Sequence, residues 1–249
     1  MGERIDGRID GRGSGALRKV RLYRSVLRHP QGSALIEMGH TVVLVSATIE
    51  EQIPPWLRGQ GKGWVTAEYD MLPGSVSGRS QRGKPSGRSQ EIQRLIGRAL
   101  RASIDLAKLG ERRIVVDCDV LDADGGTRTA SITAGYVALR EAVRTLLESG
   151  AIAEDPMTTS ISAVSVGMVD GEILLDLCYE EDSRADVDMN VVATGAGDLV
   201  EVQGTGEGNT FSLKDSQSML KLALRGMDRL RRAQERCLES PAAGPRRLI

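Results

Sequence analysis

Hydrophobic and polar positions along the chain change period several times, and each change predicts an element. Residues 34–37 and 42–49 read as two β runs joined at Gly39-His40, the second dense in β-formers (Val42, Val43, Val45, Thr48, Ile49). Pro54-Pro55-Trp56-Leu57-Arg58-Gly59 closes that hairpin, and residues 63–69 supply another strand. Residues 73–88 have no hydrophobic period; Gly74, Gly78, Gly83 and Gly87 alternate with Arg79, Arg82, Lys84 and Arg88, the pattern of a solvated basic loop. From Ser89 the period becomes helical, with Ile92, Leu95, Ile96, Ala99 and Ile104 inward, and it stops near Gly110. Arg94, Arg98 and Arg101 share one face of that helix, as a salt-bridged surface would.

A strand over 114–121 then runs through a Gly-rich corner into a helix carrying Ile132, Tyr136, Leu139, Val143 and Leu146. Residues 161–168 and 172–179 form a second hairpin around Asp170-Gly171, and 189–193 and 199–203 follow as β runs joined at Gly195-Ala196-Gly197. Ser212-Leu213-Lys214-Asp215 resembles a capping box and opens a long helix through Met219, Leu220, Leu224, Met227 and Leu230. The fold class is α+β, and hairpins followed by a helix occur twice. This implies an internal βα duplication of pattern rather than of sequence.

Composition narrows the picture little. Apolar residues make up 40% and the net charge is −1, so nucleic acid would be met by local patches rather than by bulk charge. The cations are 27 Arg and 6 Lys, a bias that suits bidentate phosphate contacts. Cys118, Cys178 and Cys237 lie far apart without CxxC spacing, which points to a reducing compartment and no zinc site. With no long apolar run, the expected location is the cytoplasm, away from membranes. Residues 1–15, which repeat Ile-Asp-Gly-Arg, read as a flexible segment, 16–240 as a single domain and 241–249 as a frayed tail.

Two stretches carry chemistry. Asp124-Gly125-Gly126-Thr127-Arg128-Thr129-Ala130-Ser131 turns from strand to helix, where the first helical N–H groups lack intrahelical partners and carry the positive end of the macrodipole. That is an anion seat, with Thr127, Thr129 and Ser131 offering hydroxyls and Arg128 a planar fork. The second is the acidic stretch 180–188. Asp182 and Asp188 would be about 20 Å apart on a straight strand, so they can share an ion only if the chain turns between them. A carboxylate pair with substrate phosphate oxygens is a common way to hold Mg²⁺. Asp117 and Asp119 share a strand face near Asp122 and Asp124, as metal ligands or as partners for arginines around the seat; the second role is preferred. His29 and His40 are the only histidines and neither sits beside a nucleophile in a known motif, so the expected chemistry is electrostatic.

Several strings together resemble the ribonuclease PH family: Gly63-Trp64-Val65-Thr66-Ala67-Glu68-Tyr69 with Met71-Leu72-Pro73, then Ser86-Gly87-Arg88 with residues 91–98, then Asp117-Cys118-Asp119-Val120 with residues 123–131. Tyr179-Glu180-Glu181-Asp182, Val187-Asp188-Met189-Asn190 and residues 201–207 continue the match, over roughly residues 8–235. The resemblance implies a compact catalytic module of β-sheets packed with helices over 16–240. It implies a phosphate-dependent 3′-to-5′ exoribonuclease that trims tRNA precursors, releases nucleoside diphosphates, runs in reverse as nucleotide addition and assembles as a hexamer, a trimer of dimers. Carried over by residue, Arg88, Gly126, Thr127 and Arg128 would bind inorganic phosphate, the co-substrate. Asp182 and Asp188 would be the catalytic carboxylates and hold Mg²⁺, and Arg79 and Arg82 would meet the RNA. The chain departs from the family pattern at Gly74, where an Arg is usual, at Ala16-Leu17-Arg18-Lys19 in place of Glu-Leu-Arg-Pro, and at Asp122 in place of Gln. The other reading is a catalytically silent ring subunit or RNA-binding scaffold of the same fold.

Overall fold

Strand and helix boundaries follow the hydrophobic pattern closely across residues 8–82 and 86–242, which the computed structural model describes. The first half builds a five-stranded sheet from β1 (Val20–Arg24), β2 (Gly32–Met38), β3 (Thr41–Glu50), β4 (Trp64–Met71) and β5 (Arg113–Asp122), in the order β1-β2-β3-β5-β4. β1, β2, β3 and β5 pair antiparallel, whereas β4 and β5 are parallel. A parallel pair needs a crossover, and α1 (Gly87–Arg101) with the short α2 (Leu106–Leu109) provides it. The helix expected to reach Gly110 is therefore two helices. Asp105 caps α2 by accepting from the Ala107 N–H, and the Asp105 N–H is taken by Pro156 O, so the chain leaves the first helix axis there.

The second half forms a four-stranded sheet, β7-β6-β8-β9, from β6 (Ile161–Val169), β7 (Glu172–Leu175), β8 (Val187–Thr194) and β9 (Leu199–Gly206), paired antiparallel throughout. The strand expected over 172–179 stops at Leu175. Residues Tyr179–Asp182 make a one-turn helix, α4, whose start is closed by the Glu181 carboxylate accepting from the Cys178 N–H.

Between the sheets lies α3 (Thr127–Glu148), which contacts β2, β3 and β5 on one side and β6 and β8 on the other. Most of its side chains are buried, which a two-sided environment demands. Its approach to β2 depends on Gly32, where a Cβ would fall 2.0 Å from Ala138 O. The long α5 (Leu213–Glu239) packs on β6, β7, β8 and β1, and one continuous apolar core joins both halves. Each half thus repeats strands followed by a helix, although only the first contains a parallel pair.

Residues 8–15 are not free of structure, contrary to the sequence expectation for 1–15. Arg8 is buried and its guanidinium donates twice to Glu181, at 2.7 and 2.5 Å, and also to Leu175 O and Asp176 O. A Gly-rich, charged composition hid a buried ion pair that forms only with the second half of the chain. Residues 1–7 and 243–249, within the expected flexible segment and frayed tail, and 83–85 of the basic loop lie outside the described residues.

Candidate active site

The strand-to-helix turn expected at Gly125-Gly126 is present. Gly125 and Gly126 both have positive φ, +72° and +66°, which permits the tight turn from β5 into α3. Gly126 is the helix N-cap, and no side chain caps the first turn of α3. The N–H groups there are thus left for a ligand. Two of the three predicted hydroxyls point elsewhere: Thr129 Oγ1 donates to Gly126 O and Ser131 Oγ to Thr127 O, both within the helix. Only the Thr127 hydroxyl stays at the seat, 2.9 Å from the Tyr69 hydroxyl.

Opposite the seat stands the acidic turn. α4 ends at Asp182, and the turn that follows, in which the Ala185 N–H donates to Asp182 O and the Asp186 N–H to Met168 O, lets Asp182 and Asp188 line the same cavity. Arg88, Gly126, Thr127, Arg128, Asp182, Asp188 and Asn190 line one cavity of about 360 Å³, within the usual range for small-ligand sites. Burial, followed by the neighbouring charge of Asp182, pushes the Asp188 carboxyl up to about 6; Arg128 and the Asn190 amide oppose this. Asp182 is also raised by its recessed position, against the pull of Arg128 and Arg88. Two like charges thus share a concave site with two guanidinium groups. Arg128 is only loosely engaged, 3.4 Å from Gln203 Oε1 and 3.8 Å from Glu91 Oε1.

Asp188 Oδ1 is buried with no hydrogen-bond partner. An orphaned carboxylate oxygen beside a second carboxylate is a suitable oxygen donor set for a hard divalent cation completed by substrate and water. Among the described residues no group of three or more His, Cys, Asp or Glu side chains forms a self-sufficient metal cage.

Arg18 was not singled out from sequence, yet it ties both halves of the site together. Its side chain is almost fully buried and donates to Asp124 O, to Gly125 O at 3.3 Å and to the Asp176 carboxylate at 2.7 and 3.2 Å. Asp124 Oδ1 in turn accepts the first N–H of α4, from Tyr179, at 3.1 Å. A Cβ at Gly125 would lie 2.7 Å from Leu177 O and 2.9 Å from Tyr179 N, so glycine allows the seat to rest directly on the chain leading into α4. The one available signal was the Ala16-Leu17-Arg18-Lys19 string, which says nothing about partners 106 to 158 residues away.

The remaining expectations divide. Asp124 does pair with an arginine at the seat, Arg18, whereas Asp117 accepts from Ser46 Oγ and Asp119 is raised by burial and by Asp117 and Asp70. Arg82 lines a neighbouring hollow that shares Met71 and Arg88 with the site, while Arg79 is exposed on the loop. Nothing approaches Gly74 within 4 Å of where a Cβ would stand, so the departure there leaves open space. Arg98 pairs with Glu201 as a surface row would, but Arg101 instead donates to Val65 O and covers the Trp64 ring at 4.3 Å.

Family models match both halves: 3′ exoribonuclease family, domain 1, over residues 16–145, and domain 2 over 159–226. The chain belongs to the 3′ exoribonuclease family. Proteins named ribonuclease PH from Mycobacterium leprae and Bacillus mycoides are 54% and 52% identical to it. The alignments cover 98% and 93% of this chain and 95% and 96% of those proteins. Among solved structures, the Archaeoglobus fulgidus exosome with RNA bound to the active site superposes with a TM-score of 0.79 at 27% identity, covering 92% of this chain and 93% of that one. An archaeal exosome core gives 0.76 at 26% identity, over 93% and 92%. The family match joins the halves that Arg18 bridges, and its two segments meet at the cavity. No helix among the described residues is long and apolar enough to cross a membrane.

Proposed function

We propose that the chain acts as a phosphorolytic 3′-to-5′ exoribonuclease through this cavity. The observation that carries the reading is the convergence of an uncapped helix start, Arg88 and Arg128 with the coupled pair Asp182 and Asp188. A scaffold has no use for a phosphate fork facing paired carboxylates. The curated relatives support the reaction class.

Two anions must meet, the attacking hydrogen phosphate and the last phosphodiester of the RNA. The N–H groups of the α3 first turn, Thr127, Arg128 and Arg88 hold the phosphate and offset its charge. A phosphate oxygen then forms the new bond to phosphorus as the bond to the penultimate 3′ oxygen breaks. The hydrogen phosphate's proton balances the departing oxygen. The products are a nucleoside 5′-diphosphate and an RNA shorter by one residue, and the reverse direction adds a nucleotide. Asp182 and Asp188 would hold the divalent cation, Mg²⁺ in this reading, which supplies positive charge at the scissile phosphodiester. Asn190, 3.2 Å from Asp188 Oδ2, fixes the carboxylate's orientation. Arg82 and Arg79 would meet the RNA backbone leading into the site.

The substrates on this reading are tRNA precursors and other RNA 3′ ends, and the working form is a homo-oligomer, a hexamer of three dimers, in the cytoplasm. The likeness to exosome cores and the three free, buried cysteines support these assignments. The test is a tRNA precursor labelled in its 3′-terminal nucleotide, incubated with Mg²⁺ with and without inorganic phosphate. Nucleoside diphosphates released only with phosphate are expected. Monophosphates released without phosphate would replace the mechanism with hydrolysis, and bound but unshortened RNA would favour the scaffold.

A further inference from the structure

The outer face of α5 carries a row of cations that the site does not use. Lys214, Lys221, Arg225, Arg229, Arg232 and Arg236 are all exposed, and their spacings of 7, 4, 4, 3 and 4 keep them within one narrow arc of the helix. The row spans about 33 Å at the helical rise per residue. Among the described residues no carboxylate lies within ion-pair distance of Lys214, Lys221, Arg225, Arg229 or Arg236. Of the helix's own acids, Asp228 pairs with Arg231 and with Arg232 of the row, Glu235 pairs with Arg231, which lies off the row, and Glu239 falls on the row's arc one turn beyond Arg236. Elsewhere arginines on the same chain are commonly paired, as at Arg21, Arg98, Arg113 and Arg140. In a chain of net charge −1, this is a segregated positive surface.

Its placement is directional. β9 ends beside the start of β8, with Thr205 opposite Asp188 and Gly206 opposite Val187, and α5 begins seven residues after Gly206. The first cation therefore stands at the active-site end of the second sheet. Farther along, Gln234 Nε2 donates to Ile161 O, at the opposite end of that sheet, so the row leads away from the cavity. We infer that this face of α5 is a docking track for the sugar-phosphate backbone of the RNA body upstream of the 3′ end being trimmed. Phosphates recur every few ångströms along a nucleic-acid strand, a repeat that cations spaced one helical turn apart match. The lysine and arginine heads on exposed stems can contact phosphates without reading bases, which suits an enzyme that shortens ends of differing sequence.

The inference rests on the exoribonuclease reading, and its test separates the two. Lys221→Gln, Arg225→Gln and Arg236→Gln together should lower kcat/KM on a tRNA precursor by about 10-fold or more near 0.1 M salt, and make the salt slope of binding shallower by about 2, since each lost phosphate contact removes roughly 0.7–0.9. Turnover of a short oligonucleotide that fills only the cavity should stay at the wild-type level. Equal losses on both substrates, or an unchanged salt slope with the precursor, would overturn the track. So would a similar loss from neutralising Arg21, Lys108 and Arg144, which spreads the same charge change over other faces. If wild-type protein fails to release diphosphates from the short oligonucleotide, the exoribonuclease reading itself fails, whatever the triple variant does.

Discussion

The two walls of the cavity are built differently. The phosphate side is local: two glycines, a helix start and Arg128 lie within four consecutive residues, so the sequence that folds the corner also supplies the ligand groups. The carboxylate side is tertiary. Asp182 sits on a single helical turn that could not persist alone, and it is held by Arg8 through Glu181 and by Asp124 through the Tyr179 N–H. The contrast suggests a division of labour in which the seat is rigid by backbone geometry and the carboxylate arm is rigid only through distant anchors.

The largest effect should come from the local wall. Arg128→Ala removes the fork from a turn that remains folded, and losing one preorganised charge contact costs on the order of 10²–10³ in turnover. Phosphorolysis should fall by that factor while RNA affinity changes little, measured by single-turnover release and filter binding. An equal loss of RNA affinity would move Arg128 from the phosphate to the RNA.

Asp188→Asn probes the opposite wall and should lower turnover by about 10²-fold while stabilising the metal-free protein. Between its ordinary value of 3.8 and about 6, the native carboxyl keeps a proton that the unfolded chain has lost. Stability therefore falls as pH rises through that window, and above it the native state carries a mostly buried charge that Arg128 and Asn190 only partly offset. In EDTA at pH 8 the variant should be more stable by about 1–3 kcal/mol; at pH 3 the gain should vanish. Denaturant titrations at the two pH values decide this, and a variant no more stable at pH 8 would mean the charge is better solvated than its surroundings imply.

Arg18→Lys should separate anchoring from chemistry. Lysine keeps a charge near Asp176 but cannot span Asp124 O, Gly125 O and Asp176 together. We expect about a 10-fold loss of kcat with phosphate KM nearly unchanged, and about 2 kcal/mol lower stability. A loss confined to stability, with kcat intact, would reduce Arg18 to a core ion pair.

The same asymmetry governs what could be read in advance. β2 through β5, α3 and α5 follow from period and turn chemistry alone, because each buries one face or both faces consistently along its length. The seat at Gly125-Gly126 was legible for the same reason. By contrast β1 was missed, since Val20–Arg24 alternates weakly and sits at a sheet edge, and α4 was missed because four residues cannot display a helical period: Tyr179 closed the expected strand and 180–182 opened the acidic stretch. The joining of Asp182 to Asp188 needed the turn over residues 183–186, whose Asp186 N–H is held by Met168 O, and the roles of Arg8 and Arg18 needed partners far along the chain, which no local pattern encodes. Thr129 and Ser131 failed for another reason: a hydroxyl inside a helix finds its own backbone carbonyl before it finds a ligand.

Tyr69→Phe should give the smallest effect and the finest resolution of the local wall. The Tyr69 hydroxyl is buried and reaches Thr127 Oγ1 at 2.9 Å, from the far edge strand of the first sheet. Burial raises its pKa despite the hydrogen bond with Thr127 and the nearby Arg88 and Arg128, so it stays protonated at neutral pH and can only position. Removing the oxygen leaves the Thr127 hydroxyl free to rotate, at a cost of about 1 kcal/mol. If Thr127 touches the phosphate, the phosphate KM should rise about 3-fold with kcat and RNA KM preserved, as RT ln 3 is within that energy. If kcat falls instead, Tyr69 is holding the whole first turn of α3 rather than one hydroxyl, and the seat is less self-sufficient than its backbone geometry implies.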